Sequence, residues 1–175
     1  AEKARLVKEK KIKKDKNESI IYRGEDNSYY EKFLATGEVK CIDEEIPFEI
    51  PQGWEWSRMG SIGDWGAGAT PAKGNTSYYG GNILWLRTGE LNNSIVNDTE
   101  IKITDKALKE CSLRLNKAGD VLIAMYGATI GKVAIAGCEL TTNQACCACT
   151  PIGIFNYYIF YFLMGNQVDF IKKGE

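Results

Sequence analysis

The sequence has 175 residues, 44% hydrophobic and 26% charged, with 11% aromatic residues and 18 glycines, enough for one sizeable core. Its 22 basic and 23 acidic residues nearly cancel, so bulk charge gives no reason to expect nucleic-acid binding, and any such binding must use local patches. Histidine is absent, which excludes Ser-His-Asp and Cys-His nucleophilic catalysis, a histidine general base and histidine-containing zinc sites.

Six cysteines are present, with Cys41, Cys111 and Cys138 scattered and Cys146, Cys147 and Cys149 in one apolar run that contains no CxxC. With ample aliphatic residues, no signal peptide and no membrane-length apolar stretch, the thiols are expected to be reduced and the chain cytoplasmic. The run from Cys146 to Cys149 reads as a buried strand that uses cysteine as a small hydrophobe.

Charge divides the chain into three regions. Residues 1–16 carry eight basic and three acidic residues, a net of +5. Lacking Gly and Pro and rich in Ala, Glu, Lys, Arg and Leu, they predict a helix of about 16 residues and roughly 24 Å. Its apolar face is thin, as expected either of the end of a longer helix that packs elsewhere or of a solvated basic tail. Residues 17–50 carry three basic and nine acidic residues, a net of −6. Their stretch IIYRGEDNSYYEKF, with Gly24, Asp26, Asn27 and Ser28 as turn formers, reads as a packed loop or linker. Pro47 and Pro51 bracket an extended entry to the main domain, which is expected to begin near residue 51 and is electrically neutral.

From Trp54 onward short strands are predicted at Trp54–Arg58, Ile83–Arg87, Ile95–Ile103, Val121–Tyr126, Lys132–Ala136 and Ala145–Thr150. Thr104 is placed to cap a short helix through about Cys111, and Asn156 to cap a longer one, NYYIFYFLMGNQVDFIKK, with one buried side. The sequence stops inside that last helix, as a piece of a longer protein would.

Three stretches could carry function. The glycine-rich run Gly66–Gly74 is not a nucleotide-binding loop: Lys73 precedes Gly74 instead of following it, and Pro71 stands where a dinucleotide fingerprint needs a helix to open. It reads as a loop of about 16 residues, to Gly81, rich in Lys, Asn, Thr, Ser and Tyr side chains able to reach phosphates and base edges. A predicted hairpin follows, with Gly127 and Gly131 at its turn and Tyr126, Thr129 and Lys132 at its tip. The pair Asn143-Gln144 can fix a turn through backbone hydrogen bonds, the reading preferred here, or offer the bidentate amide that adenine accepts.

Taken together, IPQGWEWSRMGSI, GAGATPAKGNTSYYGGNILWLRTGEL, GDVLIAMYGATIGKVAIA and TTNQACCACTP resemble the target recognition domain of type I restriction-modification specificity subunits, the HsdS family. The family's Pro-x-Gly-Trp-x-Trp opening, Gly-x-Thr-Pro loop, Gly-Gly-x-Ile-x-Trp strand, Ala-Thr-Ile-Gly hairpin and Asn-Gln turn occur in that order between Ile50 and Pro151. The resemblance implies an α+β fold, a curved antiparallel-rich mixed sheet with short helices, flanked by stubs of long spacer helices. It divides the chain into the end of a basic spacer helix (1–16), an acidic connecting segment (17–50), a DNA target recognition domain (51–155) and the truncated start of a C-terminal conserved helix (156–175). It implies a non-catalytic subunit fragment that reads one half of a bipartite double-stranded DNA target by major-groove contacts, beside a second recognition domain and with methylation and restriction subunits as partners. No cofactor is expected in this chain: S-adenosylmethionine and ATP would belong to the partner subunits. No metal and no membrane are implied.

Recognition loops vary between members, so DNA-contacting residues are chosen on chemistry: Lys73, Asn75, Thr76 and Tyr78 on the long loop, Arg87, Thr88 and Glu90 after the Trp85 strand, and Tyr126, Thr129 and Lys132 at the hairpin. Where some family members carry an arginine at that tip, this chain has Met125-Tyr126-Gly127. Two rival classes are an enzyme that uses Cys146 or Cys147, and a protein-assembly adaptor without sequence readout.

Overall fold

The computed structural model describes residues 2–174. They form two compact units, one up to Gly63 and one from Asp64 onward, a division a dozen residues later than the expected start of the main domain at residue 51.

In the first unit the helix predicted over 1–16 stops after seven residues, with α1 spanning Glu2–Lys8. Lys10 enters the left-handed region at φ 56°. The N–H groups of Lys10 and Lys11 then turn back to the carbonyls of Val7 and Leu6 at 3.0 and 2.9 Å, a Schellman closure made without glycine. The reversal brings Asp15 within 3.8 Å of the Lys3 ammonium, a pair that a continuous helix would hold about 18 Å apart. Lys3 is itself buried and donates to the Gly60 carbonyl at 2.6 Å.

The acidic segment is not a loop but an antiparallel meander of β1 (Ser19–Arg23), β2 (Tyr29–Phe33) and β3 (Val39–Cys41). Its turn formers act as read: Gly24 N–H donates to the Ser28 carbonyl at 2.8 Å, and Asn27 adopts φ 68°. Alternation in YYEKF buries Tyr29 and Glu31 on one side of β2. Buried Glu31 accepts from Ser19 Oγ at 2.5 Å and from Arg58 Nε and Nη2 at 3.0 and 2.5 Å. Arg58 also reaches Glu45 at 2.7 Å, and Glu45 pairs with Lys40. The strand predicted at Trp54–Arg58 is absent. That segment is held by a Phe48–Trp56 ring contact at 5.2 Å and by Arg58, with no ladder partner.

The larger unit contains β4 (Gly63–Ala67), β5 (Tyr79–Leu86), β6 (Ile95–Val96), β7 (Ile101–Ile103), α2 (Asp105–Glu110), β8 (Val121–Ala124), β9 (Val133–Ala136), β10 (Thr141–Thr142), β11 (Cys146–Pro151), α3 (Asn156–Gly165) and α4 (Gln167–Gly174). Where one curved sheet was expected, its strands form two sheets, ordered β4-β11-β8-β9-β6 and β10-β5-β7. The pairs β11/β8, β8/β9 and β5/β7 are antiparallel, whereas β10/β5 and β6/β9 are parallel. The class is thus α+β, antiparallel-rich with short helices. The strand predicted over Ile95–Ile103 splits in two around the turn formers Asn97 and Asp98, and β4 lies partly inside the stretch read as glycine loop.

One core serves both sheets: Leu86 and Leu91 pack with Leu122, Ala134, Leu140, Cys146 and Ala148. The cysteine strand is buried as read. Thr104 caps α2 as predicted, its hydroxyl accepting from Ala107 N–H at 3.3 Å. Asn156 does not cap α3. Phe155 takes that position, and the Asn156 amide donates to the Gly119 carbonyl at 3.0 Å. Ile159, Phe160 and Leu163 bury one side of α3. The long helix predicted there is two, interrupted at Asn166, whose side chain donates to the Phe162 carbonyl at 2.8 Å. Among the described residues no helix is long and apolar enough to cross a membrane.

Candidate nucleic-acid interface

The strand pairing gathers the sequence motifs at one end of the larger unit. Parallel pairing sets Thr142 beside Leu86, so the chain leaves β10 at Asn143 where it leaves β5 at Arg87, and Asn143 N–H donates to the Leu86 carbonyl at 2.9 Å. Gly68, just past β4, donates to the Cys146 carbonyl at 3.0 Å, and Ala69 donates to the Thr142 carbonyl at the same distance. Met125, just past β8, donates to the Ala145 carbonyl at 2.8 Å. The Gly-x-Thr-Pro loop, the Asn-Gln turn, the end of β5 and the base of the hairpin therefore share one sheet end. Gly68 is required there, since a Cβ would lie 2.1 Å from the Thr142 carbonyl oxygen.

The hairpin tip follows the expectation. Gly127 and Gly131 have φ of 83° and 76°, and the turn closes through Lys132 N–H to the Thr129 carbonyl at 3.0 Å. Tyr126 is half exposed, and Thr129 and Lys132 are partly exposed. The α4 helix supports the hairpin, and its Lys173 borders a groove with Met125 and Ile130.

At the end of β5 the chosen residues satisfy one another. The Glu90 carboxylate accepts from Arg87 N–H at 3.0 Å and from Glu100 N–H at 2.9 Å. The Arg87 guanidinium is held by Glu90, at 3.4 Å, and by Glu100. Both oxygens of Glu90 are thus engaged in fixing the turn that opens at Thr88, which is partly exposed.

Lys73, Asn75, Thr76 and Tyr78 do not join this group. They lie on the loop between Pro71 and β5, whose first residue, Tyr79, pairs with Ile103 as Ile83 does across a bulge and donates its hydroxyl to the Pro71 carbonyl at 2.7 Å. Asn75 Oδ1 accepts from Ser77 Oγ at 2.6 Å and caps a single 3-10 turn at Thr76–Tyr78. Tyr78 donates its hydroxyl to Glu110 at 3.0 Å under the Lys106 ammonium, 5.9 Å from the ring. Tyr78 therefore fastens the loop to α2 and Asn75 caps the turn that carries it, while Lys73 and Thr76 are exposed. Of the ten residues chosen by chemistry, four lie on the loop before β5, three follow its end and three lie on the hairpin.

Sequence reasoning passed over Thr70 and held Gln144 to be structural. Thr70 Oγ donates to Gln144 Oε1 across the shared end, and Gln144 is exposed. The Gly-x-Thr-Pro motif was the signal that could have singled out Thr70. Asn143 is half-buried with both its backbone groups bonded, but its buried side-chain oxygen has no hydrogen-bond partner among the described residues, so its side chain does not fix the turn through that oxygen.

The cysteines offer little nucleophilicity. Burial pushes the Cys146 and Cys149 thiols up to about 12 and raises that of Cys147 as well, so near neutral pH all three stay protonated. Among the described residues no group of His, Cys, Asp and Glu is arranged to hold a metal ion.

Residues 51–174 match the family described as type I restriction modification DNA specificity domain. The chain is 38% identical over 129 residues to the type I restriction enzyme MjaIX specificity subunit of Methanocaldococcus jannaschii, covering 71% of this chain and 30% of that one. It is 28% identical over 126 residues to a type I restriction enzyme specificity subunit of Escherichia coli, covering 69% and 31%. The fold matches the HsdS subunit of Thermoanaerobacter tengcongensis with a TM-score of 0.60 at 19% identity, over 72% of this chain and 31% of that one. The chain thus spans about 30% of the length of these relatives.

Proposed function

The chain belongs to the family of type I restriction-modification DNA specificity domains, and from that premise we propose that its larger unit reads part of a double-stranded DNA target by direct contact. The observation that carries this reading is the convergence of the Gly-x-Thr-Pro loop, the Asn-Gln turn, the end of β5 and the hairpin at one sheet end. Such a cluster of exposed polar tips on a packed scaffold is where recognition is built. Lys132 and Lys173 supply cations beside the tip for phosphates. Tyr126, Thr129 and Gln144 supply groups for base edges, at about 1–3 kcal/mol for each good bidentate contact. Arg87 and Glu90 act here as positioning residues that hold the Thr88 turn.

The reading extends to a subunit that directs methylation and restriction subunits in the cytoplasm and works beside a second recognition domain. S-adenosylmethionine and ATP are assigned to those partners. With few unpaired cations at this end, the chain alone binds weakly and with a shallow salt dependence, and its affinity in the assembly gains from the linked partner sites. The test is selection of bound duplexes from a randomised pool at low salt, with the chain alone and with a methylation subunit. Enrichment of a short motif supports sequence readout. Binding without enrichment supports the adaptor alternative, and no binding in either arm rejects DNA contact.

A further inference from the structure

The Asn-Gln turn is complete without the Gln144 side chain. Asn143 N–H reaches the Leu86 carbonyl at 2.9 Å, Cys146 N–H reaches the Asn143 carbonyl at 3.1 Å, and Met125 N–H reaches the Ala145 carbonyl at 2.8 Å. Gln144 nevertheless stands exposed at the point where three motif loops meet, and its amide oxygen accepts from Thr70 Oγ on the facing loop. A glutamine amide has one acceptor oxygen and an NH2 group with two donors. Bidentate pairing with adenine uses both ends, the oxygen towards N6 and the nitrogen towards N7. Here Thr70 engages the oxygen, which leaves the two donors of the amide nitrogen to be satisfied from outside the chain.

We infer that Gln144, oriented by Thr70, is a DNA-contacting donor that seeks an acceptor oxygen or nitrogen on the duplex, and that Thr70 is its positioning residue. The inference rests on the DNA-reading function above and names one contact within it. The shared chemistry is a hydrogen-bond acceptor, which a duplex offers as a phosphate oxygen, as guanine O6 and N7, or as thymine O4.

The experiment takes a duplex enriched by the unaltered chain and measures the binding of Gln144→Ala, Gln144→Lys, Gln144→Glu and Thr70→Val, with thermal unfolding of each as a control for folding. Gln144→Ala is expected to weaken binding about five- to tenfold, the loss of one hydrogen bond. Gln144→Glu, which replaces donors with a negative charge, is expected to weaken it further, whereas Gln144→Lys, which restores a donor, recovers at least part of the loss. Thr70→Val is expected to weaken binding about threefold with no loss when Gln144 is already alanine, because the two act through one group. A merely structural glutamine would be harmed alike by Lys and Glu, and that pattern, or unchanged binding in Gln144→Ala, overturns the inference while leaving the DNA-reading function intact. If the unaltered chain enriches no duplex, the DNA-reading function fails first and the inference falls with it. Equal weakening on all sequences assigns the acceptor to a phosphate, and lost preference at one base pair assigns it to a base edge.

Discussion

Up to Gly63 the chain buries Tyr29 and Ile42 together with Lys3, Ser19 and Glu31, whereas from Asp64 it buries Trp85, Leu86, Leu91, Leu122, Leu140, Ile159, Phe160, Leu163 and many smaller apolar side chains, with Asp120 as its buried charged residue beside the polar Thr99, Asn116, Thr141 and Thr142. The first unit closes its meander with an ionic chain, Ser19–Glu31–Arg58–Glu45–Lys40. The second joins its two sheets through an aliphatic cluster and adds a further one around Trp85, Ile103 and Ala107. In the first, charged side chains are used up holding the fold together. In the second, the core carries the stability and leaves polar tips such as Gln144, Tyr126 and Lys132 available at one edge.

That contrast is broken most readily by cutting into the core. Leu122→Ala removes a fully buried side chain from the centre of β8 and is expected to cost about 2–5 kcal/mol. Denaturant unfolding, with hydrogen exchange read on β8 and β9, measures it. A loss under 1 kcal/mol would mean that the larger unit does not rest on this core.

The ionic unit is tested by acid. The Arg58 guanidinium, against the opposing effect of burial and with help from Ser19, holds the Glu31 carboxyl below its ordinary value of 4.5. A depressed folded value means that the pair's contribution is present in full above pH 4.5 and is lost as pH falls through the folded value. Glu31→Gln is expected to cost about 1–3 kcal/mol near neutral pH, and to flatten the acid limb of stability for β1–β3. An unchanged acid limb would assign that limb to other carboxylates. A smaller effect follows at α2: Thr104→Ala removes the cap and is expected to cost about 1 kcal/mol, read as lost amide protection in α2 with the β8/β9 ladder unaffected.

The sequence revealed what is decided locally. The cap at Thr104, the two glycines of the hairpin and the apolar cysteine strand were legible because each depends on neighbours a few residues away. The first helix was misjudged because its end needs Lys10 at positive φ and a chain reversal that pairs Lys3 with Asp15, and helix propensity carries neither. The meander at 19–41 was hidden by its turn residues, which describe loops and hairpins equally well. At the candidate interface every motif was visible, but its convergence was not. It depends on the two-residue parallel ladder that sets Thr142 beside Leu86, far apart in sequence. That Tyr78 serves α2 likewise depends on Glu110, 32 residues away.

The same geometry yields a comparison between two lysines. Lys132 is partly exposed and closes the hairpin turn beside the shared sheet end, and Lys73 is exposed on the loop that leads from Thr70 towards α2. If the shared end faces DNA, Lys132→Ala is expected to weaken binding a few-fold on every duplex and to lower the salt slope by about one counterion, as for one lost phosphate contact. Lys73→Ala is expected to have the smaller effect, because Lys73 lies past the Thr70–Gln144 contact on the part of the loop that leads to the Tyr78–Glu110 bond with α2. Affinity measured across a salt series separates them. Equal losses would mean that DNA covers the loop from Thr70 to Lys73 as well, and a larger loss at Lys73 would move the interface towards α2.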